Sequence, residues 1–281
     1  MRAAAVQLNS TDDKQANLSA ADRLTRAAAT DGADLVVLPE KFNLLGSHEH
    51  LRAGAEPIDG PAITWARETA ADLGIDLVAG SFVERREGHE KLANTSVHVG
   101  PGGEIRGVYR KIHMFDVTVE GKEYRESDSQ EAGDEVVTSE ASGVPLGLTV
   151  CYDVRFPELY RILALRGARV LVVPSAFTRA TGAAHWDTLL RARAIENQAF
   201  VVAPDQIGTH PPDCESYGAS QIVDPWGEML ARAPEAADAT PEPCFVAAHL
   251  DLDRQDDVRA TLPSLANRVP AAYRWEQEAT A

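Results

Sequence analysis

The sequence predicts an α/β protein of four layers, two β-sheets packed face to face with helices outside them. Apolar strand-like runs alternate with amphipathic helical stretches along the chain. Two of those runs, Gly32-Ala33-Asp34-Leu35-Val36-Val37-Leu38-Pro39-Glu40 and Gly167-Ala168-Arg169-Val170-Leu171-Val172-Val173-Pro174-Ser175, repeat one pattern almost position for position. Both are continuously apolar, as central strands buried on both faces must be. The repeat points to two related halves, each feeding strand–helix units into its own sheet. A Gly-Ala-x-apolar-Pro pattern is also what any helix-to-buried-strand junction looks like, so the pattern alone leaves both origins open.

Met1 to Leu8 reads as a first strand, too short an apolar run for a secretory signal or a membrane span before Asn9-Ser10-Thr11-Asp12-Asp13 interrupts it. Lys14 to Thr30 has apolar residues at near-helical spacing behind an acidic start. Asp59-Gly60-Pro61 opens a second helix to about Leu73, with Pro at the first helical position. Ile75 to Phe82 is expected as one strand, and Leu92–Val99 with Ile105–Arg110 as a hairpin around Pro101-Gly102-Gly103. Val119 to Glu135 is acidic without a sustained period and is expected as a surface loop on one rim of a cleft. After the second apolar repeat, a helix over Ala184–Asn197 and a strand over Phe200–Pro204 are expected, then a hairpin over Gln221–Leu230 turning at Asp224-Pro225-Trp226-Gly227. Ala231 to Pro243 reads as loop, Phe245 to Leu250 as a last core strand, and the polar tail from Asp251 as an arm exchanged with another subunit.

The chain has 281 residues, long enough for one large α/β domain or two small ones, and its 44% hydrophobic content is ordinary for a globular protein. A formal charge of −16, from 27 basic and 43 acidic residues, argues against nucleic acid or an anionic membrane as partner. Cys151, Cys214 and Cys244 form an odd set without CxxC spacing, which signals neither a disulfide framework nor a zinc ribbon and suits a reducing, cytoplasmic setting. No glycine-rich nucleotide loop is present, so no cofactor is expected.

Chemistry concentrates at Gly147-Leu148-Thr149-Val150-Cys151-Tyr152-Asp153-Val154-Arg155-Phe156-Pro157-Glu158-Leu159, where an apolar run delivers a cysteine to its carboxyl end ahead of a helix. A lone cysteine is more often a small core residue than a nucleophile. Here Tyr, Asp and Arg follow it at once, and two other reactive side chains, Glu40 and Lys111, stand at comparable strand ends.

On Leu38-Pro39-Glu40, Tyr109-Arg110-Lys111-Ile112-His113 and Val150-Cys151-Tyr152-Asp153-Val154-Arg155-Phe156-Pro157-Glu158, the sequence resembles the nitrilase superfamily of carbon–nitrogen hydrolases. The likeness continues through Pro174-Ser175-Ala176-Phe177, Leu190 to Gln198 and Val223 to Gly227, and is similar to the branch of ω-amidases and deaminated-glutathione amidases. It implies one hydrolase domain over residues 1–281 with a C-terminal arm from about Asp251, the nitrilase-type αββα sandwich, and a homodimer or larger assembly paired through helices near the cysteine. It also implies Glu40 as general base, Lys111 as cationic stabiliser, Cys151 as nucleophile and Glu126 as a second glutamate. Glu120, Glu123 and Glu131 share the acidic loop with Glu126. Arg155 and Phe177 are implied as the carboxylate anchor and apolar wall of the substrate pocket. The activity implied is hydrolysis of a terminal amide of a small carboxylate-bearing substrate to carboxylate and ammonia, with N-carbamoyl amino acid and nitrile hydrolysis as alternatives.

The physical logic stands beside the likeness. A thiol near pKa 8.5 and a carboxylate near 4.3 differ by about four units, so proton transfer between them in water costs about 6 kcal/mol. The sequence reading expects Lys111 to favour the thiolate and burial to raise the glutamate, both narrowing that gap. Lys111 and the Tyr152 N–H are then expected to hold the oxyanion. Cys151→Ala and Lys111→Ala are each expected to abolish turnover without unfolding the chain. Rivals are a Cys–His hydrolase using His113 or His185, a metal hydrolase recruiting His48 and His50, and a catalytically silent binding subunit.

Overall fold

The computed structural model of the chain describes residues 1–236 and 242–273. Its first half runs β1 (Arg2–Gln7), α1 (Lys14–Thr30), β2 (Leu35–Val37), α2 (His48–Gly54), α3 (Pro61–Leu73), β3 (Asp76–Val78), β4 (Phe82–Glu84), β5 (Ala93–Val99) and β6 (Ile105–Arg110). A hairpin of β7 (Asp116–Val119) and β8 (Lys122–Arg125) leads to the second half: β9 (Thr138–Ala141), β10 (Val144–Leu148), α4 (Pro157–Leu165), β11 (Val170–Val172), α5 (Arg179–Asn197) and β12 (Phe200–Ala203). A further hairpin, β13 (Ile207–His210) and β14 (Cys214–Tyr217), precedes β15 (Gln221–Val223) and β16 (Met229–Arg232). Last come β17 (Cys244–His249) and α6 (Leu252–Thr261).

The two halves share one topology. In the first sheet β1, β2 and β3 run parallel, with Ala3, Leu35 and Asp76 in register; in the second, β10, β11 and β12 run parallel, with Leu146, Val170 and Phe200 in register. Each triplet is flanked by antiparallel strands, β17 and β5 in the first sheet, β9 and β15 in the second. The Gly32–Glu40 and Gly167–Ser175 repeat therefore falls on the middle strand of each triplet, β2 and β11.

Alternation along the strands explains the four layers. Ala3, Ala5, Leu35 and Val37 point into the cluster shared with Leu146, Leu148 and Val172 of the other sheet. Their neighbours Ala4, Val6, Val36 and Leu38 pack with Leu24 of α1 and Ile63, Ala66 and Ala70 of α3. With both faces covered, each central strand has to be apolar throughout.

Local chemistry sets the helix starts. The Asp13 side chain accepts the N–H of Ala16 at 3.0 Å and caps α1, while Pro61 and Pro157 sit in the first turns of α3 and α4. The structure departs from the sequence reading at several places. The strand expected over Ile75–Phe82 is broken at Gly80 (φ +42°) into β3 and β4. The loop expected over Val119–Glu135 carries β8 and a short 3-10 turn over Glu126–Asp128. Helix α5 begins five residues before Ala184, with Gly182 letting its backbone lie against Tyr217, where a Cβ would come within 2.3 Å of that side chain.

The polar tail opens with α6, which is bonded to its own chain: buried Gln255 donates to the carbonyls of Arg169 and Gln198, and Arg169 donates to Gln255 and Asp256. The end of the expected arm, residues 274–281, and part of the Ala231–Pro243 loop, residues 237–241, lie outside the described residues. Among the described residues no helix is long and apolar enough to cross a membrane.

Candidate active site

Glu40, Lys111 and Cys151 each leave a sheet at the carboxyl side of β2, β6 and β10, and the sandwich brings them to one place. The Glu40 loop is clipped to the bend after β3: Leu38 N donates to Val78 O, Ser81 N to Pro39 O and Phe42 N to Ser81 O, at 3.0–3.3 Å. That approach requires glycine at position 80, since a Cβ there would stand 1.9 Å from the Pro39 carbonyl oxygen. Cys151 opens a 3-10 turn with φ +51°, a conformation that costs a side-chain-bearing residue about 1–3 kcal/mol. The turn is held by Cys151 N donating to Pro174 O at 2.8 Å and Val150 N donating to Asp153 Oδ2 at 2.8 Å.

The Lys111 ammonium, on a residue only 1% exposed, lies 3.0 Å from Glu40 Oε1 and 2.8 Å from Glu126 Oε2. Glu126 thus stands apart from the other glutamates of the acidic segment: Glu123 pairs with Arg125 and Glu131 with Arg86, while Glu126 also accepts the N–H of Phe115 at 2.9 Å. Glu40 accepts the Ala176 N–H on its other oxygen at 2.9 Å. Two residues not singled out from sequence complete the cluster. Lys41 reaches Glu126 Oε1 at 3.4 Å, and Asn94 donates to Glu40 Oε1 at 2.7 Å and Glu126 Oε1 at 3.3 Å. Their signals were present: a second lysine beside Glu40, and a polar Asn94-Thr95-Ser96 run within a fully buried strand.

Charge in this buried cluster resolves differently from the sequence expectation. Burial pushes the Glu40 carboxyl up, but the charges of Lys111 and Lys41 outweigh it and hold Glu40 below the ordinary value. Glu126, subject to the same opposing effects, is brought down to about 2. Burial works against the Lys111 charge, yet Glu126 and Glu40 raise it well above the usual lysine range. Burial, followed by the nearby Glu40 charge, drives the Cys151 thiol well above its ordinary value despite Lys111. The resting site is therefore a neutral thiol beside an ionised glutamate, and the gap is wider than in water. Proton transfer has to accompany attack on an electrophile.

A cavity of about 350 Å³ opens on this cluster, lined by Glu40, Lys111, Cys151, Tyr152 and Phe177, with the β7–β8 and β13–β14 hairpins at its sides. The Cys151 N–H is committed to Pro174, whereas the Tyr152 N–H has no protein partner among the described residues. The sequence motif model for carbon–nitrogen hydrolase matches residues 2–260. The chain belongs to the carbon–nitrogen hydrolase family. It is 41% identical over 272 residues to the deaminated glutathione amidase of Synechocystis sp., covering 95% of this chain and 97% of that protein. It is 36% identical over 278 residues to human omega-amidase NIT2, covering 99% and 98%. Among solved structures, the C. elegans NitFhit protein superposes with a TM-score of 0.86 at 36% identity, over 97% of this chain and 66% of that one. Saccharomyces cerevisiae Nit3, of the nitrilase superfamily, gives 0.84 at 29% identity over 97% of both chains. The fold is the αββα sandwich of the nitrilase superfamily.

In this carbon–nitrogen hydrolase, Phe177 is buried beside Trp186, with ring centroids 4.9 Å apart, and its N–H is held by Asp205 at 2.8 Å. Arg155 stacks over the rings of Phe177 and Tyr152, 5.2 and 5.9 Å from their centroids, and lies 3.3 Å from His185 Nδ1. It forms no ion pair among the described residues, is half-buried, and is not one of the residues lining the cavity. Asp153 is occupied otherwise: it accepts Tyr109 Oη at 2.6 Å and His113 Nδ1 at 2.7 Å, tying the segment before and after Lys111 to the Cys151 turn. His113 is turned to Asp153 and stacked on Phe156 at 3.5 Å. No histidine is hydrogen-bonded to Cys151 among the described residues. His48 and His50 lie in α2, beside Ser129 and Asp12.

Proposed function

We propose that this carbon–nitrogen hydrolase cleaves the terminal amide of a small carboxylate-bearing substrate, such as a 2-oxo acid ω-amide or deaminated glutathione, through a thioester on Cys151. The observation that carries the reading is the shared Lys111 ammonium between two buried carboxylates beside a thiol at the floor of the cavity. The names of the two relatives above support the substrate class.

Cys151 Sγ attacks the amide carbon while Glu40 takes the thiol proton, so no free thiolate has to form in the buried site. The oxyanion is held by Lys111 and the Tyr152 N–H. Collapse breaks the C–N bond, with Glu40 returning the proton to the departing nitrogen, and leaves the acyl group on sulfur. Water then attacks the thioester with Glu40 again as base, and the proton goes back to sulfur as the carboxylate leaves. Glu126 keeps Lys111 charged and in place throughout, and Lys41 pairs with the other oxygen of Glu126. Arg155 turns from its aromatic stack to meet the substrate carboxylate, bidentate recognition being what its planar fork suits.

Product release measured across ω-amides of 2-oxo acids, deaminated glutathione, N-carbamoyl amino acids and nitriles tests the substrate class. The reading expects the first two to dominate; carbon dioxide release from a carbamoyl substrate at comparable kcat/KM would overturn it. A homodimer is also proposed, paired through the helices over the second sheet, where Ile162, Leu165 and Ile195 are 41, 49 and 47% exposed. Light scattering that finds only a monomer at micromolar concentration would refute it. The three free cysteines fit a proposed cytoplasmic setting, which fractionation of expressing cells checks.

A further inference from the structure

Asn94 is 1% exposed on β5, the strand beside Lys111, and Lys111 N donates to the Asn94 carbonyl at 2.9 Å. Its side-chain nitrogen serves both carboxylates of the cluster, at 2.7 Å from Glu40 Oε1 and 3.3 Å from Glu126 Oε1. The opposite amide orientation would turn an oxygen toward two anions, so chemistry fixes the nitrogen inward. The outward Oδ1 is buried and finds no hydrogen-bond partner among the described residues. A residue kept in the core with one end unsatisfied is explained by what its other end does.

Glu40 Oε1 accepts from both Lys111 and Asn94, which fills the lone pairs an oxygen can offer in plane. Oε2 accepts the Ala176 N–H at 2.9 Å and carries neither of those two donors, and the Cys151 thiol is hydrogen-bonded to this same carboxylate. We propose that Asn94 is a positioning residue for the general base, holding Glu40 so that Oε2 alone can receive the Cys151 proton and keeping Glu40 ionised beside Glu126. The inference rests on the reading of Glu40 as base. The charged and titratable groups that act on Glu40 are Lys111 after β6, Glu126 after β8, Lys41 in its own loop, Cys151 after β10 and Asp205 after β12. Asn94 is the neutral donor that links the two carboxylates of this set.

The test follows alkylation of Cys151 by iodoacetamide against pH, which needs no knowledge of the substrate, alongside kcat and KM on an ω-amide of a 2-oxo acid. Asn94→Leu removes the donors at similar volume, and Asn94→Asp keeps the shape but replaces donors by an acceptor, which covers the case of one variant failing to fold. Glu40→Gln is the control. Both Asn94 variants are expected to move the acid limb of the alkylation profile upward by about one pH unit, the size of one charge-assisted hydrogen bond, and to lower kcat about tenfold with KM little changed. An unmoved acid limb with only a lower Tm would make Asn94 structural and overturn the inference. A wild-type profile in Glu40→Gln would instead overturn the base assignment itself.

Discussion

Lys111 Nζ sits 2.8 Å from Glu126 Oε2, closer than its 3.0 Å approach to Glu40 Oε1. The second glutamate is thus the closer partner of the buried cation, while Glu40 is the closer partner of Asn94, at 2.7 against 3.3 Å. That division suits one carboxylate to anchoring and the other to moving a proton.

Acid stability should report the anchor. Glu126 falls from an ordinary value of 4.5 to about 2 in the folded chain. A depressed carboxyl contributes stability that is present above its unfolded pKa and lost as pH falls through the folded one. The window is therefore about pH 4.5 down to 2, with about 3 kcal/mol at stake. Denaturant titrations in that range should show a shallower pH dependence for Glu126→Gln than for the wild type; parallel curves would mean that Glu126 is not the group titrating.

Lys111→Ala should do more than stop turnover. It strands two carboxylates in a buried site, and breaking a buried pair costs about 3–5 kcal/mol, or roughly 10 °C in Tm for a chain of this size. The chain is still expected to stay folded, as the sequence reading has it, but with a lowered Tm. Cys151→Ala removes a neutral thiol and should change stability by less than about 1 kcal/mol. Calorimetry that finds the two variants equally stable would show that the cluster's charges are not interdependent.

Replacing His113 should slow the enzyme without abolishing it. Its ring is held by Asp153 and Phe156 rather than aimed at Cys151. His113→Ala is expected to lower kcat by about tenfold or less, because Tyr109 and Val150 still bind Asp153. Loss as complete as that of Cys151→Ala would revive a Cys–His mechanism.

Arg155→Lys keeps charge and loses the fork. With no ion pair of its own to break, Arg155 should cost little stability when replaced, and kcat/KM should fall about tenfold to a few hundredfold, or about 1.5–3 kcal/mol. The loss should be confined to carboxylate-bearing amides. Equal losses on small neutral amides would make its stacking on Phe177 and Tyr152 the whole of its role.

What the sequence made legible follows from burial. Glu40, Lys111 and Cys151 end strands whose runs are sharply bounded, so their placement at one side of the sandwich could be read from Pro39, from the end of the β5–β6 hairpin and from the residues after Cys151. The β7–β8 hairpin could not be read, because its strands are mostly solvent-facing and its turn uses Glu120 and Gly121, both at positive φ, in place of the Asn-Gly or Asp-Gly pair that signals such a turn. Asn94 escaped because its meaning depends on two carboxylates, 54 and 32 residues away in sequence, converging on it. The direction of the Glu40 shift also depends on packing: burial alone raises a carboxyl, and only the presence of Lys111 and Lys41 around it reverses the sign.

Trapping the acyl-enzyme tests the central claim most directly. Intact mass measured after rapid acid quench of an ω-amide reaction should show the acyl group's mass added to the wild type or, more persistently, to Glu40→Gln. Peptide mapping should place it on Cys151, and Cys151→Ala should carry no adduct and release no ammonia. Ammonia release by Cys151→Ala at the wild-type rate, or an adduct that persists in that variant, would contradict a thioester at Cys151.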